Sequence, residues 1–280
     1  MNSQLLVSIV IPVKNSATVL EECIRYIRNQ IYRNIEIIVV NSFSRDKTSA
    51  ICQNCNVKLI QFDNSNLTGR FDATAKRNLG IGKAKGEFVY YLDADFKLTP
   101  NVVQEAVEAC EKKGFDAVIV KEVVSGPGFW TKCKWLEQEC YWGDDNIEAP
   151  RFFKKNVWEK LGGLDISLGA GCDDWDLYQR FLKTGYKATR IKSYLIHNEG
   201  KITLRQTIKK AFLYGKDVSK FVNKNPRGGF TYFFPIRPAY IRNWRLFIRN
   251  PILGLGLIFL RSVEYTAGGL GAIANIIYRK

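Results

Sequence analysis

The sequence predicts an α/β protein with a mostly parallel, doubly wound sheet. Short apolar runs rich in β-branched residues alternate with segments of helical periodicity as far as residue 120, and this alternation is typical of βαβ units. Several runs are apolar throughout, as in strands that are buried on both faces. The composition, 46% hydrophobic and 25% charged, is that of a globular protein and excludes disordered and collagen-like classes.

The alternation can be followed element by element. A strand is predicted over Leu5–Val13 and a helix over Ser16–Asn29, where apolar side chains recur at helical spacing. The elements that follow are a strand at Ile35–Val40, a helix at Lys47–Cys55 capped by Asp46, a strand at Val57–Phe62, a helix at Phe71–Ala84, a strand at Phe88–Leu92, a helix at Pro100–Lys112 and a strand at Ala117–Val120. Ligands of such sheets bind at the carboxyl ends of the strands, so the loops after the first four strands should face one crevice.

The pattern loosens after residue 121, and a second region is predicted at the C-terminal end. Helices at Trp130–Tyr141, Asp173–Lys183 and Thr203–Val222 and extended segments at Arg151–Phe153 and Lys187–Ile191 are expected to complete a first domain, residues 1–225. Regular structure is then expected to be interrupted by prolines and glycines, namely Pro226, Gly228, Gly229, Pro235 and Pro238. Residues 226–280 are expected to form a C-terminal basic amphipathic helical extension.

The net charge of +15 is concentrated at the C-terminal end. Residues 201–280 hold 15 of the 42 Lys and Arg residues but only two of the 27 acidic residues, Asp217 and Glu264. Such asymmetry indicates a polyanionic partner, either a nucleic acid or an anionic membrane surface.

Seven cysteines, an odd number in a chain of 280 residues, do not suggest a disulfide framework. Cys52 and Cys55 form a C-x-x-C pair, but no second pair lies at zinc-like spacing, so buried free thiols are favoured over a metal or redox site. The first 15 residues lack a basic segment, so no signal peptide is expected and the predicted compartment is the cytoplasm.

Two carboxylates directly follow the fourth predicted strand. In Leu92-Asp93-Ala94-Asp95 a single residue separates the two acids, and the strand end places them at the ligand crevice. Carboxylate oxygens suit Mg²⁺ or Mn²⁺, which commonly bridge to substrate phosphates. The motif also occurs by chance in solvated turns, and it is the position after a strand that favours a metal site.

Six segments together resemble the family 2 glycosyltransferases, whose nucleotide-sugar-binding fold is called GT-A. They occur in the family's order and cover roughly residues 5–200. The segments are Ser8–Asn15 with its Pro-x-x-Asn turn, Val39–Thr48, Ala75–Gly80 with Arg-Asn-x-Gly, Leu92–Asp95, Gly162–Asp165, and Asp173–Leu177 followed by Arg180. The resemblance implies the GT-A (nucleotide-diphospho-sugar transferase) fold and transfer of a hexose with inversion.

The resemblance also implies roles for single residues. Asp174 would be the catalytic base, and Asp93 and Asp95 would hold Mn²⁺ or Mg²⁺ on the donor diphosphate. The donor-binding residues would be Pro12, Val13, Asn15, Asn41, Ser44, Arg77, Asp93, Ala94 and Asp95, and the acceptor-side residues would be Asp173, Trp175 and Arg180. The family usually has Asp where Asn41 stands, which leaves the identity of the donor's nucleobase open. A UDP- or GDP-hexose is expected, with a slight preference for GDP-mannose.

Three features have a functional and an ordinary interpretation. His197, the one histidine, is either a third metal ligand after the final strand or an ordinary surface or core residue. The acidic group Asp144, Asp145 and Glu148 is either part of the acceptor site or a solvated loop. The aromatic residues Trp130, Trp135, Tyr141 and Trp142 either stack on sugars or belong to the core.

The C-terminal extension combines aromatic residues, arginines and the apolar run Pro251–Leu260. Ten residues are too few to span a bilayer as a helix, and the following segment carries Glu264. The pattern predicts a peripheral, monotopic anchor at the cytoplasmic membrane face, with a helical cap or a dimer contact as alternatives. Lys209, Lys210 and Lys216 of the preceding basic helix would then hold a lipid phosphate.

We therefore expect a metal-dependent inverting glycosyltransferase that acts on a polyprenyl phosphate or a lipid-linked sugar. The alternatives are a nucleic-acid-binding protein that uses the basic tail, a nucleotidyltransferase, and a catalytically inactive GT-A-like binding protein. Long apolar runs between the cations of the tail argue against nucleic acid, and the loop after Val13 is not the Gly-rich loop of a triphosphate site. Intact Asp93, Asp95 and Asp174 argue against an inactive protein. The sequence leaves the oligomeric state open.

Overall fold

The computed structural model describes residues 4–63, 70–169, 171–225 and 237–277. Its strands are β1 (Val7–Val13), β2 (Ile35–Asn41), β3 (Lys58–Gln61), β4 (Phe88–Tyr91), β5 (Phe96–Leu98), β6 (Ala117–Ser125), β7 (Phe152–Lys154) and β8 (Ala188–Asn198). They form one sheet in the order β3-β2-β1-β4-β7-β6-β8-β5. The non-consecutive order shows that the chain crosses over between strands, as the α/β pattern predicts.

Helices connect and cover these strands. They are α1 (Leu20–Arg28), α2 (Thr48–Asn54), α3 (Arg70–Gly82), α4 (Val102–Lys112), α5 (Phe129–Tyr141), α6 (Lys155–Leu161), α7 (Asp173–Lys183), α8 (Leu204–Lys224), α9 (Pro238–Arg242), α10 (Trp244–Arg249) and α11 (Pro251–Ile277).

The strand pairing confirms the mostly parallel, doubly wound sheet. β1 pairs in parallel with β2 and β4, and β2 pairs in parallel with β3. β7 differs from these strands, because it runs antiparallel to both β4 and β6. The register sets Val13 beside Asn41, so the loops after β1 and β2 begin side by side at the carboxyl edge of the sheet.

The core of the sheet region follows from apolar periodicity. Leu20, Cys23, Ile24 and Ile27 recur at helical spacing on α1, and all four are buried. They belong to one cluster with the apolar side chains of β1, β4 and α4. At about 25 cal/mol per Å² of apolar surface removed from water, this burial supplies the main stabilisation of the sheet.

The structure differs from the predicted boundaries at several places. α1 begins at Leu20 because residues 16–19 form a turn, in which the N–H of Leu20 donates to the carbonyl of Ser16. Lys47, not Asp46, is the N-cap residue of α2, although the Asp46 carboxylate does accept the N–H of Thr48. β8 continues to Asn198, and residues 251–277 form one helix instead of two segments divided at Arg261.

Proline at 238 opens a helix rather than breaking one. It occupies the start of α9, where the N–H that proline lacks has no intrahelical partner. The other predicted breakers, Pro226, Gly228, Gly229 and Pro235, lie outside the described residues, as do the aromatic residues Phe230, Tyr232, Phe233 and Phe234.

The chain divides into two compact units. The first comprises residues 1–122 and 149–196, and the second comprises residues 123–148 and 197–280. This structural division differs from the functional division at residue 225, which stays a prediction. In the second unit, α11 packs against α8 and α5, and a capping box between Thr203 and Gln206 starts α8.

All seven cysteines are free thiols, and six of them are buried, in agreement with the sequence analysis. Across the described ranges, no helix combines the length and the apolar character needed to cross a membrane.

Candidate functional site

Two arginines bring together acidic residues that are far apart in the sequence. The guanidinium of Arg77, in α3, lies 2.7 Å from Asp93 Oδ1 and 3.9 Å from Asp174 Oδ1. Arg151, immediately before β7, lies 3.4 Å from Asp93 Oδ2, Asp174 Oδ2 and Glu122 Oε1. The predicted donor-side acid and the predicted base therefore share two guanidinium partners.

Asp173 holds Arg77 from the buried side of this cluster. Its side chain has no exposed surface, and its Oδ2 accepts a 2.7 Å hydrogen bond from the Thr74 hydroxyl and lies 3.3 Å from Arg77. Burial first, and then the adjacent charge of Asp174, raise the pKa of Asp173 to about 6. A fully buried carboxylate of this kind positions Arg77, and the acceptor-side role predicted for Asp173 stays a prediction.

Arg77 stays charged in spite of its burial. Burial works to lower its pKa, but the charges of Asp93, Asp173 and Asp174 outweigh it and hold the pKa above its ordinary value. The guanidinium also lies 5.3 Å from the centre of the Tyr91 ring. Arg77 is therefore a fixed positive charge at the end of β4.

Asp174 is held in one orientation but stays accessible. Its Oδ1 accepts a 2.8 Å hydrogen bond from the hydroxyl of Tyr91, the last residue of β4. Burial, and next the charge of Asp174, raise the pKa of Tyr91, so the hydroxyl keeps its proton and remains a donor. The side chain of Asp174 is 18% exposed, which leaves room for contact with a substrate hydroxyl.

The charges of the site leave a place for a cation. The two arginines face four carboxylates, those of Asp93, Asp173, Asp174 and Glu122, and Asp95 adds a fifth acid two residues after Asp93. Within the described ranges, no three His, Cys, Asp or Glu side chains are grouped as a complete metal site. Mg²⁺ commonly binds through one or two carboxylates together with substrate phosphates. The donor set at Asp93 and Asp95 fits an ion of that kind.

The loops after β1 and β2 are tied together by hydrogen bonds. The N–H of Asn15 donates to Ser44 Oγ at 2.7 Å, and the N–H of Arg45 donates to Asn15 Oδ1 at 2.9 Å. Asn41 is fully buried; its Oδ1 accepts from the Ser44 N–H and hydroxyl, and its Nδ2 donates to Ser49 Oγ. Asn41 therefore shapes this loop, and its predicted contact with a nucleobase stays a prediction.

A buried lysine supports the same edge of the sheet. Lys76 Nζ donates to the carbonyl of Val13 at 2.7 Å and lies 2.8 Å from Asp72 Oδ2. The other Asp72 oxygen accepts the Ser42 hydroxyl at 2.5 Å. Burial lowers the pKa of Lys76. Of the predicted donor residues on β1, Val13 is buried and Pro12 is half-buried.

The remaining predicted residues have varied positions. Arg180 pairs with Asp176 at 2.8 Å and donates to the carbonyl of Gly163 at 2.7 Å, so it holds the turn after α6. Its acceptor-side role stays a prediction. Ala94 is 8% exposed, and Trp175 is half-buried in the first turn of α7. His197 belongs to the second unit, where its Nδ1 lies 3.7 Å from Glu199 Oε1. Its role as a metal ligand stays a prediction.

The acidic and aromatic groups of the second unit have structural partners there. Asp144 accepts the N–H of Asn146 and lies 3.4 Å from Arg242. The Trp130 ring stacks on Phe259 at 5.8 Å between centres. Asp144 is thus a buried, paired side chain and not part of a solvated loop, whereas the packing of Trp130 supports the core interpretation for that residue.

Sequence reasoning missed Arg151, Tyr91 and Thr74. Arg151 follows a proline in a segment that matches no motif, and Tyr91 reads only as an apolar strand residue. Nothing in the sequence pairs Arg151 with Asp93 and Asp174, since that pairing depends on the antiparallel placement of β7 next to β4.

Comparison with known proteins identifies a family. The model described as Glycosyl transferase family 2 matches residues 8–165, more than half of the chain. The glycosyltransferase GlyG of Streptococcus pneumoniae is 33% identical over 119 residues, which are 41% of this chain and 38% of that protein. A GalNAc(5)-diNAcBac-PP-undecaprenol beta-1,3-glucosyltransferase of Campylobacter jejuni is 28% identical over 210 residues, 70% of this chain and 67% of that protein. The chain thus spans little more than a third of the first relative.

A solved structure supports the fold. The mannosyltransferase PcManGT from Pyrobaculum calidifontis, in complex with GDP-Man and Mn²⁺, superposes with a TM-score of 0.65 at 18% identity, covering 100% of this chain and 89% of that chain. At this identity the likeness speaks for the fold alone, and it confirms the GT-A fold.

Proposed function

The chain belongs to glycosyl transferase family 2, and from this premise we propose that it transfers a hexose from a nucleotide-diphosphate sugar to a membrane-presented acceptor. The observation that carries the proposal is the sharing of Arg77 and Arg151 by Asp93 and Asp174. It unites an acid suited to the donor side with a carboxylate suited to activate the acceptor.

The donor would bind along the carboxyl edge of the sheet. Asn15 and Ser44, on the joined loops after β1 and β2, would line the nucleoside pocket. The diphosphate would extend towards the end of β4, where Arg77 and Arg151 supply fixed positive charge. Mn²⁺ or Mg²⁺ at Asp93 and Asp95 would neutralise the charge that develops on the leaving diphosphate.

Asp174 would act on the acceptor. A sugar hydroxyl attacks the anomeric carbon and passes its proton to the Asp174 carboxylate, while the bond from that carbon to the diphosphate oxygen breaks. The electron pair of the broken bond leaves with the diphosphate, and the single displacement inverts the anomeric centre. Tyr91 and Arg151 hold the carboxylate in place from two sides, so little reorientation is needed when the acceptor arrives.

A thermal-shift panel tests the donor site. We expect one nucleotide class, GDP- or UDP-hexose, to raise the melting temperature in Mn²⁺ but not in EDTA, because a ligand that binds only the folded state stabilises it by mass action. Mannose on GDP is the first donor to test, since the structurally similar PcManGT was solved with GDP-Man. Asp93→Ala should abolish the shift. Lys112→Ala, at an exposed i,i+4 pair with Glu108 on α4, is the matched control and should keep it. No shift with any donor at millimolar concentration would overturn the proposed donor site.

An apolar face in the second unit supports the membrane part of the proposal. Exposed side chains follow one another along α9, α10 and the first half of α11: Ile241 (67% exposed), Trp244, Ile248 (65%), Ile252 (72%), Leu255 (71%), Ile258 and Phe259. On a helix of a globular protein this face would be polar. Arg245 and Arg249 are exposed among these residues. Apolar and aromatic residues bordered by cations fit a helix that lies in the membrane interface.

A lipid-linked acceptor is consistent with this face. The Campylobacter relative is named for an undecaprenol-linked acceptor, and a lipid of that class would be presented at the membrane surface. If the acceptor is a lipid phosphate, the attacking oxygen is already an anion and needs no base. If it is a lipid-linked sugar, Asp174 is required.

Vesicle flotation tests the membrane face. We expect binding to vesicles that contain anionic lipid. The double variant Ile252→Ser/Leu255→Ser should weaken this binding at least about tenfold, because serine side chains gain far less free energy than Ile and Leu when they move from water into the membrane interface. Ile31→Ser, at a 54% exposed residue of the first unit, is the matched control and should bind normally. Unchanged binding by the double variant, or binding to duplex DNA instead of vesicles, would contradict the proposal.

A further inference from the structure

One aromatic residue in the donor-side loops is held in an unusual backbone conformation. Phe43 has a φ of +44°, in the left-handed region that a bulky side chain rarely adopts. Among the described residues, the other non-glycine residues with positive φ are Asn15 and Asn56, and asparagine tolerates this region well. Phe43 is therefore the strained member of the three.

The surrounding loop fixes this conformation. On one side, Asn41 accepts two hydrogen bonds from Ser44 through the same Oδ1. On the other side, Asn15 binds Ser44 and Arg45, so the loop is joined to the end of β1. A strained residue persists only where its surroundings over-determine it, and such residues gather at functional sites.

Burial of the Phe43 ring does not offset the backbone strain. Phe43 is 59% exposed although it lies one residue beyond the buried pair Asn41 and Ser42. Leaving a large aromatic ring in water forfeits the gain that burial would bring, and a glycine would adopt the same φ without strain. Neither folding nor turn geometry explains a phenylalanine at this position.

We propose that Phe43 is the stacking platform for the base of the donor nucleotide. The inference rests on the proposed donor site and deepens it by naming the residue that holds the nucleoside. The ring stands on the loop after β2, beside the end of β1, where ligands of a doubly wound sheet bind. Bases stack on aromatic rings with little dependence on which base it is, because every base has a π-face. Phe43 thus supplies affinity for a nucleoside, and the choice of base falls to other groups.

The test measures the affinity for UDP and GDP by titration calorimetry in Mn²⁺, with inorganic diphosphate as the control ligand. We expect Phe43→Ala to weaken the binding of the preferred nucleotide about 5- to 150-fold, the range that loss of one base–aromatic stack produces, and to leave diphosphate binding unchanged. Phe43→Tyr keeps the ring and should retain affinity within about twofold.

A second readout concerns stability. Phe43→Gly removes both the ring and the backbone strain, so its melting temperature should rise by about 2–4 °C while nucleotide affinity falls. Asn56→Gly is the matched control, since it changes another positive-φ residue, at the end of α2. It should leave nucleotide affinity unchanged.

The outcomes separate this inference from the proposed function. If wild-type protein binds a nucleotide and Phe43→Ala binds it equally well, or loses nucleotide and diphosphate to the same extent, the stacking role is overturned and the donor site survives. If Phe43→Gly melts at a lower temperature than wild type, the Phe43 ring stabilises the fold itself, and the inference is overturned as well. If wild-type protein binds neither nucleotide, the proposed donor site fails and the inference fails with it.

Discussion

At the scale of single residues, Arg77 holds the candidate site together. It is buried and in contact with the carboxylates of Asp93 and Asp173. Removing one partner of a buried charge group leaves the others uncompensated in a poorly solvated place, which costs far more than loss of a surface pair. Loss of Arg77 should therefore destabilise the protein more than loss of an exposed arginine would.

We expect Arg77→Met to lower the free energy of unfolding by about 3–5 kcal/mol. Arg25→Met is the control, because the Arg25 side chain is 65% exposed in its pair with Glu22 and such pairs contribute less than about 1 kcal/mol. Urea unfolding at pH 7 compares the two variants. Equal losses would show that the Arg77 cluster carries no special stability.

At the scale of secondary-structure elements, α8 and α11 approach one another through glycines. A Cβ added at Gly271 would lie 2.0 Å from the carbonyl oxygen of Phe212, and one added at Gly215 would lie 1.9 Å from that of Gly268. These are backbone atoms that cannot rotate away. The two helices must separate if either glycine gains a side chain.

Gly271→Ala should therefore destabilise the protein by about 1–3 kcal/mol, the usual cost of overpacking. Gly269→Ala is two residues away on the same helix and meets nothing within 4 Å. It should be neutral or stabilise by up to about 1 kcal/mol through helix propensity. Thermal unfolding of both variants checks this, and a loss of similar size at Gly269 would show that the close approach at Gly271 is not the cause of the destabilisation.

A buried carboxylate ties α5 to the C-terminal helices. Glu137 accepts hydrogen bonds from the hydroxyls of Tyr141 and Tyr240, both at 2.5 Å, and pairs with Lys134 and Arg261. Burial works to raise its pKa, but the charge of Arg261, followed by that of Lys134, outweighs it and holds the pKa well below the ordinary value of 4.5.

This carboxylate predicts a dependence of stability on pH. Because the folded-state pKa is depressed, the ionised group stabilises the fold above about pH 4.5, and that stabilisation is lost as the pH falls towards the folded-state pKa. We expect Glu137→Gln to cost about 3–5 kcal/mol at pH 7 and to lose less further stability than wild type between pH 5 and pH 3. Parallel acid-dependence curves for the two proteins would refute this.

The sequence predicted elements well where a periodic pattern was long. The strands β1 and β2 and the helices α4, α5 and α7 lie within about two residues of their predicted bounds. β5 has three residues and α6 has seven, too few for a periodicity to show. β8 was predicted to end at Ile191 but continues to Asn198. In this added part of the strand, the Glu105 carboxylate accepts the N–H groups of Lys192 and Ser193.

The site was predictable only in its local parts. Asp93, Asp95 and Asp174 occupy positions of short sequence motifs and could be identified from their neighbours in the sequence. The network that joins them depends on Arg77 reaching Asp173, 96 residues away, and on Arg151 reaching Asp93 across two paired strands. Such pairings follow from tertiary structure and leave no trace in spacing.

At the scale of the whole molecule, the chain combines a sheet-based unit that carries the candidate site with a helical unit that carries an exposed apolar face. We expect this face to act with the arginines beside it. Arg245→Gln/Arg249→Gln should weaken binding to anionic vesicles roughly 30-fold, at about 1 kcal/mol per cation, and should leave the weaker binding to neutral vesicles unchanged. Vesicle titrations at fixed ionic strength measure both, and an equal loss on neutral vesicles would mean that the arginines hold the helices rather than lipid.

The most direct test compares donor binding and sugar transfer in Asp93→Asn and Asp174→Asn, with a membrane extract as the source of acceptor. We predict that Asp93→Asn loses donor binding and transfer together. Asp174→Asn should bind the donor with wild-type affinity and should lose transfer by a factor of about 10²–10⁴, the contribution of a general base. If both variants transfer sugar at the wild-type rate, these two carboxylates do not form a transferase site.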